Sequence, residues 1–260
     1  MPKNPDREQV LVPRSGSGAS WHRENWVGPY SQRLFGTGLY GRHHIQRFAW
    51  LSRKIASLAQ GNSSISILEV GCHDAKTLDF VPVKVHRYLG FDAGWEGGLE
   101  TARRRFGNIK GYSFQQSVDP ADVVGIREKF DFIICMETLE HIKPSKVESY
   151  LSTFADKLDG FLLVTVPNEK GLPLLCKTLG ARLLGWRRTE SYTVSELAKA
   201  VCGRMDRVPR VEHKGFDYAS LAKSLKRYFR CVRLEGIAFA KLPVQLSLTV
   251  GIVASQKPIP

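Results

Sequence analysis

The sequence predicts an α/β fold, a doubly wound, mostly parallel seven-stranded sheet with helices on both faces. Three observations lead there. Short apolar runs recur at 65–70, 88–91, 130–136 and 161–166, without the polar alternation of a half-exposed strand. Helical patterns lie between several of these runs, and polar or glycine residues follow them directly, at Gly71, Asp92 and Pro167-Asn168. Strands that are apolar on both faces must be covered on both, and parallel neighbours need crossover connections, which the intervening helices supply.

The elements follow in order. Residues 1–20 are rich in Pro, Gly, Ser and charge and are expected to form a disordered tail. Residues 21–61 form an expected aromatic and helical cap, with Trp21, Trp26, Tyr30 and Phe35 followed by a helix over 42–59. In that helix Ile45, Phe48, Leu51, Ile55 and Leu58 recur at helical spacing, and Gly61 is its stop. The main domain is expected over 62–256, with an amphipathic insertion at 170–192. Within it, helices are predicted over 95–106, 121–129 and 144–158, the last capped by Gly160, and a further strand over 109–115. Thr193-Val-Ser-Glu196 is a capping box that starts a helix running to about Gly203. A helix over 219–229 and two closing strands over 232–239 and 246–253 complete the count.

Composition narrows the class. At 260 residues with 43% hydrophobic residues the chain can bury one large core. Its five cysteines are scattered and form no C-x-x-C pair, so a disulfide framework is not expected and a reducing cytoplasm fits. The polar start, MPKNPDREQV, carries no secretory pattern, and no apolar run approaches the roughly 20 residues that span a bilayer. A net charge of +13 hints at anionic partners, but the basic residues are dispersed, so a solvated basic surface is favoured over a nucleic-acid track.

Open parallel sheets bind ligands beyond the carboxyl ends of their strands, so the residues after each run carry the chemistry. After the first run, Gly71 allows backbone to approach a ligand closely, followed by Cys72 and His73. Glu69, at the strand end, can orient the turn or meet a cationic ligand group. Asp92 follows the second run, 23 residues after Glu69, where such units place an acid on ribose hydroxyls, with Ala93 beside it. A helix N-cap is the plain alternative for Asp92. Gln116, Ser117 and Asp119 follow the next strand, and Met136 ends the fourth run.

These segments resemble those of class I methyltransferases that use S-adenosylmethionine. Ile67-Leu-Glu-Val-Gly-Cys-His-Asp-Ala75 is similar to the family's first motif, with His73 and Ala75 where the second and third glycines usually stand. Phe130-Asp-Phe-Ile-Ile-Cys-Met-Glu-Thr-Leu-Glu-His-Ile142 closely resembles the fourth strand and Leu-Glu-His loop of small-molecule members, and Leu163-Val-Thr-Val-Pro-Asn-Glu169 their fifth strand. The resemblance implies a Rossmann-like methyltransferase fold and S-adenosyl-L-methionine as cofactor. Its binding residues would be Glu69, Gly71, Cys72, His73, Asp92, Ala93, Met136 and one or more of Gln116, Ser117 and Asp119. It also implies that His141 acts as general base toward a hydroxyl, against the alternative that Glu137 or Glu140 simply holds its ring.

The acceptor side is read less sharply. Leu172, Leu175, Leu179, Leu183 and Trp186 fall on one stripe of the insertion, with Lys177, Arg182, Arg187 and Arg188 elsewhere. Such a helix can pack on its own domain, cap an apolar pocket or touch a membrane periphery, so a small or amphipathic acceptor with a hydroxyl is expected. No metal is expected, because His43-His44 and Cys72-His73 lack further ligands at suitable spacing. Two rivals remain: a nicotinamide dehydrogenase, which needs G-x-G-x-x-G where the chain reads Gly71-Cys-His73-Asp-Ala-Lys76, and a non-catalytic nucleotide- or nucleic-acid-binding protein with the same fold.

Overall fold

The computed structural model describes residues 39–183, 192–237 and 242–260. The expected tail and the aromatic part of the cap lie outside them, as do Trp186, Arg187 and Arg188 of the insertion. In chain order the described elements are α1 (Leu39–Leu58), β1 (Ser64–Val70), β2 (Lys84–Asp92), α2 (Gly98–Phe106), β3 (Tyr112–Gln116), α3 (Pro120–Val124) and β4 (Phe130–Met136). They continue with α4 (Pro144–Lys157), β5 (Leu158–Pro167), α5 (Gly171–Leu183), α6 (Val194–Val201), α7 (Tyr218–Tyr228), β6 (Cys231–Ile237) and β7 (Thr249–Ser255). Short 3₁₀ turns stand at Lys76–Phe80, Trp95–Gly97, Met205–Arg207 and Val244–Leu246.

The seven strands form one sheet in the order β3-β2-β1-β4-β5-β7-β6, parallel except for β7, which runs antiparallel to both β5 and β6. The chain therefore winds outward in one direction from β1 to β3 and in the other from β4. Between β1 and β4 the connections depart to opposite sides, which leaves a crevice at the carboxyl ends of these strands.

Side-chain alternation gives the sheet two cores. Leu68, Val70, Ile133, Cys135, Leu162 and Val164 face Tyr150, Leu151 and Phe154 of α4 and Leu221 and Leu225 of α7. Ile65, Ile67, Tyr88, Phe132, Ile134 and Leu163 face Phe48, Trp50, Leu51 and Ile55 of α1 and Leu99 and Ala102 of α2. Burying each large apolar side chain stabilises the fold by about 1.5–3 kcal/mol, so the run composition noted above is what commits both faces to helices. The cap helix is anchored at its polar edge as well: Trp50 Nε1 donates to Glu235 Oε2 at 3.0 Å, and Lys54 Nζ to Glu235 Oε1 at 2.6 Å.

Boundaries differ from expectation where polar chemistry overrides periodicity. Asp119 caps α3 by accepting from Ala121 N, and the helix ends at Gly125 rather than near 129. The third strand begins at Tyr112 because Gly111, at φ +92°, turns the chain into it. Gly160 does not cap α4; that helix passes at Leu158 straight into β5, and Gly160 lies within the strand. Its place there is steric, since a Cβ on Gly160 would stand 2.1 Å from the Asp131 carbonyl oxygen. Gly160→Ala is therefore expected to lower stability by about 2–3 kcal/mol, the usual cost of overpacking, read as a reduced urea midpoint.

Candidate active site

The crevice holds a cavity of about 610 Å³, within the range that encloses a nucleotide-sized ligand. Its wall carries Glu69, Gly71, Cys72, His73, Asp92, Ala93, Ser117, Met136 and His141, so the strand-end residues singled out in the sequence converge on one space. Another depression of about 490 Å³, beside Arg87, Ser113 and Glu128, lies toward the amino ends of β3 and β4 and gathers none of them.

The loop after β1 is the first part of the wall. Gly71 N and Cys72 N both donate to Phe91 O, at 2.8 and 3.0 Å, which binds the loop across to β2. Gly71, His73 and Ala75 all have positive φ, at +81°, +45° and +54°. The alternate residues that would be glycine in the family pattern thus keep the left-handed backbone even where they carry side chains, at roughly 1 kcal/mol or more for each non-glycine. At Gly71 no side chain is admissible, because a Cβ would meet Thr138 Oγ1 at 2.0 Å. The strained turn is held from outside: Arg105 donates to Asp74 O at 3.1 Å and to both oxygens of Asp79, at 2.6 and 2.7 Å.

Asp92 ties this loop to the next. Its Oδ2 accepts from His73 N at 2.8 Å and its Oδ1 from Gly94 N at 2.7 Å. A carboxylate has about four acceptor sites, so lone pairs remain for a pair of ligand hydroxyls. Gln116 stands outside the wall and supports it, donating from Nε2 to Ala93 O at 3.1 Å. Ser117 lines the cavity, with its N–H on Asp92 O at 2.8 Å. Asp119 is engaged in capping α3 and in an ion pair with Lys146 at 3.2 Å.

Glu69 lies beneath the loop, 2% exposed, accepting from Thr77 Oγ1 at 2.6 Å and from Tyr88 Oη at 2.5 Å. Burial, opposed by these two hydrogen bonds, pushes its carboxyl from the ordinary 4.5 up to about 8. Cys72 and Cys135 are buried thiols whose ionisation burial suppresses. His73 titrates above its ordinary value: burial works against this, but Asp74, Asp92 and Glu96 outweigh it.

A match to the family model described as "Methyltransferase domain" runs over residues 42–228. The chain belongs to this methyltransferase family. Its cofactor is S-adenosylmethionine, and the cavity fits that molecule: a turn at Gly71 where no Cβ fits, an acid with free lone pairs for ribose, and the apolar surfaces of Trp95, Val118 and Met136. Magnesium protoporphyrin IX methyltransferase from Synechocystis PCC 6803, solved with bound SAH, superposes with a TM-score of 0.54 at 15% identity, over 87% of this methyltransferase and 92% of that chain. An S-adenosylmethionine-dependent methyltransferase from Clostridium acetobutylicum ATCC 824 gives 0.54 at 14% identity, over 82% and 92%. A Thermotoga maritima protein described as a possible histamine N-methyltransferase gives 0.50 at 17%, over 88% and 95%. No curated protein matches the sequence. At these identities the likeness is one of fold.

The far end of the cavity belongs to the turn after β4. Glu137 has φ +49° and its N–H bonds Thr165 O at 2.8 Å, and His141 N bonds Thr138 O at 3.0 Å, so the Leu-Glu-His segment is a tight turn rather than a free loop. His141 lines the cavity, and burial, reinforced by Arg210, lowers its pKa against the pull of Glu212. Sequence reasoning missed Arg47, Lys76, Thr77, Trp95, Glu137 and Thr138, which also form the wall. Glu137 and Thr138 sat inside the quoted motif and were legible there. Arg47 comes from the face of α1 and carried no local signal.

Glu69 sets a pH dependence. Its folded value of about 8 exceeds the ordinary 4.5, so the folded methyltransferase holds the proton more tightly than the unfolded chain. The stability this adds is full below about 4.5 and is lost as pH rises through about 8. Glu69→Gln is expected to flatten the fall in thermal midpoint across that window, measured without cofactor.

Proposed function

We propose that this methyltransferase transfers the methyl group of S-adenosylmethionine to a hydroxyl oxygen of a small, lipid-type or saccharide-type acceptor. The observation that carries this reading is that His141 shares one cavity wall with Asp92, a basic nitrogen at one end and the ribose acid at the other. The sulfonium supplies an already activated methyl group, so the protein's task is alignment and removal of one proton. Asp92 and the turn at Gly71 hold the nucleoside end. The acceptor oxygen then enters beside His141 and Glu137, its O–H proton leaves on the His141 side, and the carbon–sulfur bond gives way to a carbon–oxygen bond.

A surface feature favours an amphipathic acceptor. Helix α5 buries Leu174 against Ala200, Met205 and Val208, but leaves Leu172, Leu179 and Leu183 at 55%, 49% and 87% exposure on one stripe. A helix that met only its own domain would bury such a stripe. On the inner side of the same helix Lys177 pairs with Glu169 at 3.1 Å, and both charges act on Glu137 of the cavity wall. In this reading α5 rests at a membrane periphery and brings the site to an acceptor held there, while the rest of the chain stays in the cytoplasm. Among the described residues, no helix is long and apolar enough to cross a membrane.

Asp92→Ala is expected to weaken binding of the demethylated cofactor by about tenfold or more in calorimetry, as loss of hydrogen bonds to a charged group implies. His141→Ala should leave that affinity within about twofold and lower turnover by about a hundredfold. Turnover is followed as labelled methyl transfer into extracts, with product mass identifying the acceptor; undiminished transfer would remove His141 from the reaction. In flotation with anionic liposomes, Leu179→Glu with Leu183→Glu should release the protein from the lipid fraction, and unchanged partition would refute the membrane contact.

A further inference from the structure

We infer that Glu140, His141 and His213 form a site for a divalent transition-metal ion at the acceptor end of the cavity. The inference deepens the hydroxyl-directed reading above and rests on it for the reaction, though not for the site itself.

Glu140 is 1% exposed, and both of its carboxylate oxygens are enclosed without a hydrogen-bond partner. A buried polar group left in this state is costly, more so for one that can ionise. His213 Nδ1 stands 4.0 Å from Oε1, beyond hydrogen-bonding distance. Arg210, the guanidinium nearby, donates instead to the backbone oxygens of Leu139 and Glu140, at 3.3 and 3.0 Å. The rings of His141 and His213 meet edge to face with centroids 4.5 Å apart. One donor atom from each of the three residues lies within 4.8 Å of the others. Cation bonds of about 2.0–2.3 Å place neighbouring donors about 3 Å apart and opposite ones about 4.5 Å apart, so this spacing suits three ligands around one ion.

The two loops that bring them together are built rigidly. Arg210 fastens the 209–216 segment to the turn after β4 through its two carbonyl bonds. Val211 and Lys214 pair as a bridge, Glu212 has φ +50°, and a Cβ on Gly215 would meet Pro209 O at 2.6 Å. Lys214 Nζ is tied to Glu196 Oε2 at 2.9 Å, on the capping box of α6. A strained, multiply fastened turn of this kind presents His213 at one place, which a merely solvated histidine does not need.

Two imidazoles and one carboxylate suit manganese, cobalt or zinc and leave coordination positions open. His141 alone of the three also lines the cofactor cavity, so the open side faces the acceptor. A hydroxyl bound there becomes more acidic. With an ion bound, His141 is its ligand and no longer the base: the O–H proton would pass to water, the oxygen would take the methyl carbon from sulfur, and the donor would depart as a neutral thioether. The sequence expectation of no metal searched for neighbouring ligands; His213 is distant in the chain and is delivered by the fold.

The test is calorimetric titration of the full chain, stripped with chelator, using Mn²⁺ and Co²⁺, with the visible absorption of Co²⁺ as a second readout of nitrogen ligation. One ion per chain is expected, with Glu140→Gln and His213→Ala each weakening it by at least about tenfold, the loss that even outer-shell changes produce. Thermal melts confirm that the variants fold; if Glu140→Gln does not, the half-exposed His213→Ala decides. Absence of ion binding by the unaltered chain, or equal binding by the variants, overturns the site. Titration with the demethylated cofactor runs in parallel: its failure with ion binding intact would count against the donor reading and leave the metal site standing.

Discussion

The parallel pairing of β1 with β2 on one side and β4 on the other is the constraint on which the molecule depends. Ile67, Leu68 and Glu69 pair with Tyr88, Leu89 and Gly90 and equally with Phe132, Ile133 and Ile134, so β1 is enclosed on both edges. Its end therefore has nowhere to send the chain but over the top of the sheet. The windings on its two sides run apart, and the crevice they leave is the cavity. Both helical layers serve this arrangement by covering strands that cannot face water.

Within that crevice, strain and polarity are concentrated together. His73 and Glu137 of the wall, and Ala75 beside it, have left-handed backbone without being glycine. Each is held in place: His73 N donates to Asp92, Arg105 fastens Asp74 and Asp79 on either side of Ala75, and Glu137 N donates to Thr165 O. Backbone in such conformations persists only where its surroundings over-determine it. Of these groups Asp92 also lines the cavity, and the first turn keeps its left-handed shape without its second and third glycines.

The cavity gathers charges of both signs. Glu69, Asp74, Asp92, Glu96 and Glu137 line it together with Arg47, Lys76, Lys143 and Lys146. The deepest of these acids, Glu69, is held with its proton by burial at neutral pH, and its two hydroxyl partners make it a strut for Thr77 and Tyr88.

Much of this was legible in the sequence because strand runs, crossover helices and the residues after each strand are local patterns. The parallel sheet, its seven strands, Gly71 and Asp92 follow from periodicity and position, and the Leu-Glu-His turn from the family resemblance. The sequence left the helix ends less certain, since caps such as Asp119 and a strand glycine such as Gly160 act through contacts that periodicity does not encode. Gln116 and Asp119 show the same limit inside the site: both are polar residues at the right strand end, yet one supports a carbonyl and the other caps a helix. Which distant residues share a space depends on how the layers pack. Arg47 from α1 joins the cavity, and His213 meets Glu140 and His141, because packed layers bring separate loops to one strand end, and no spacing along the chain records that approach.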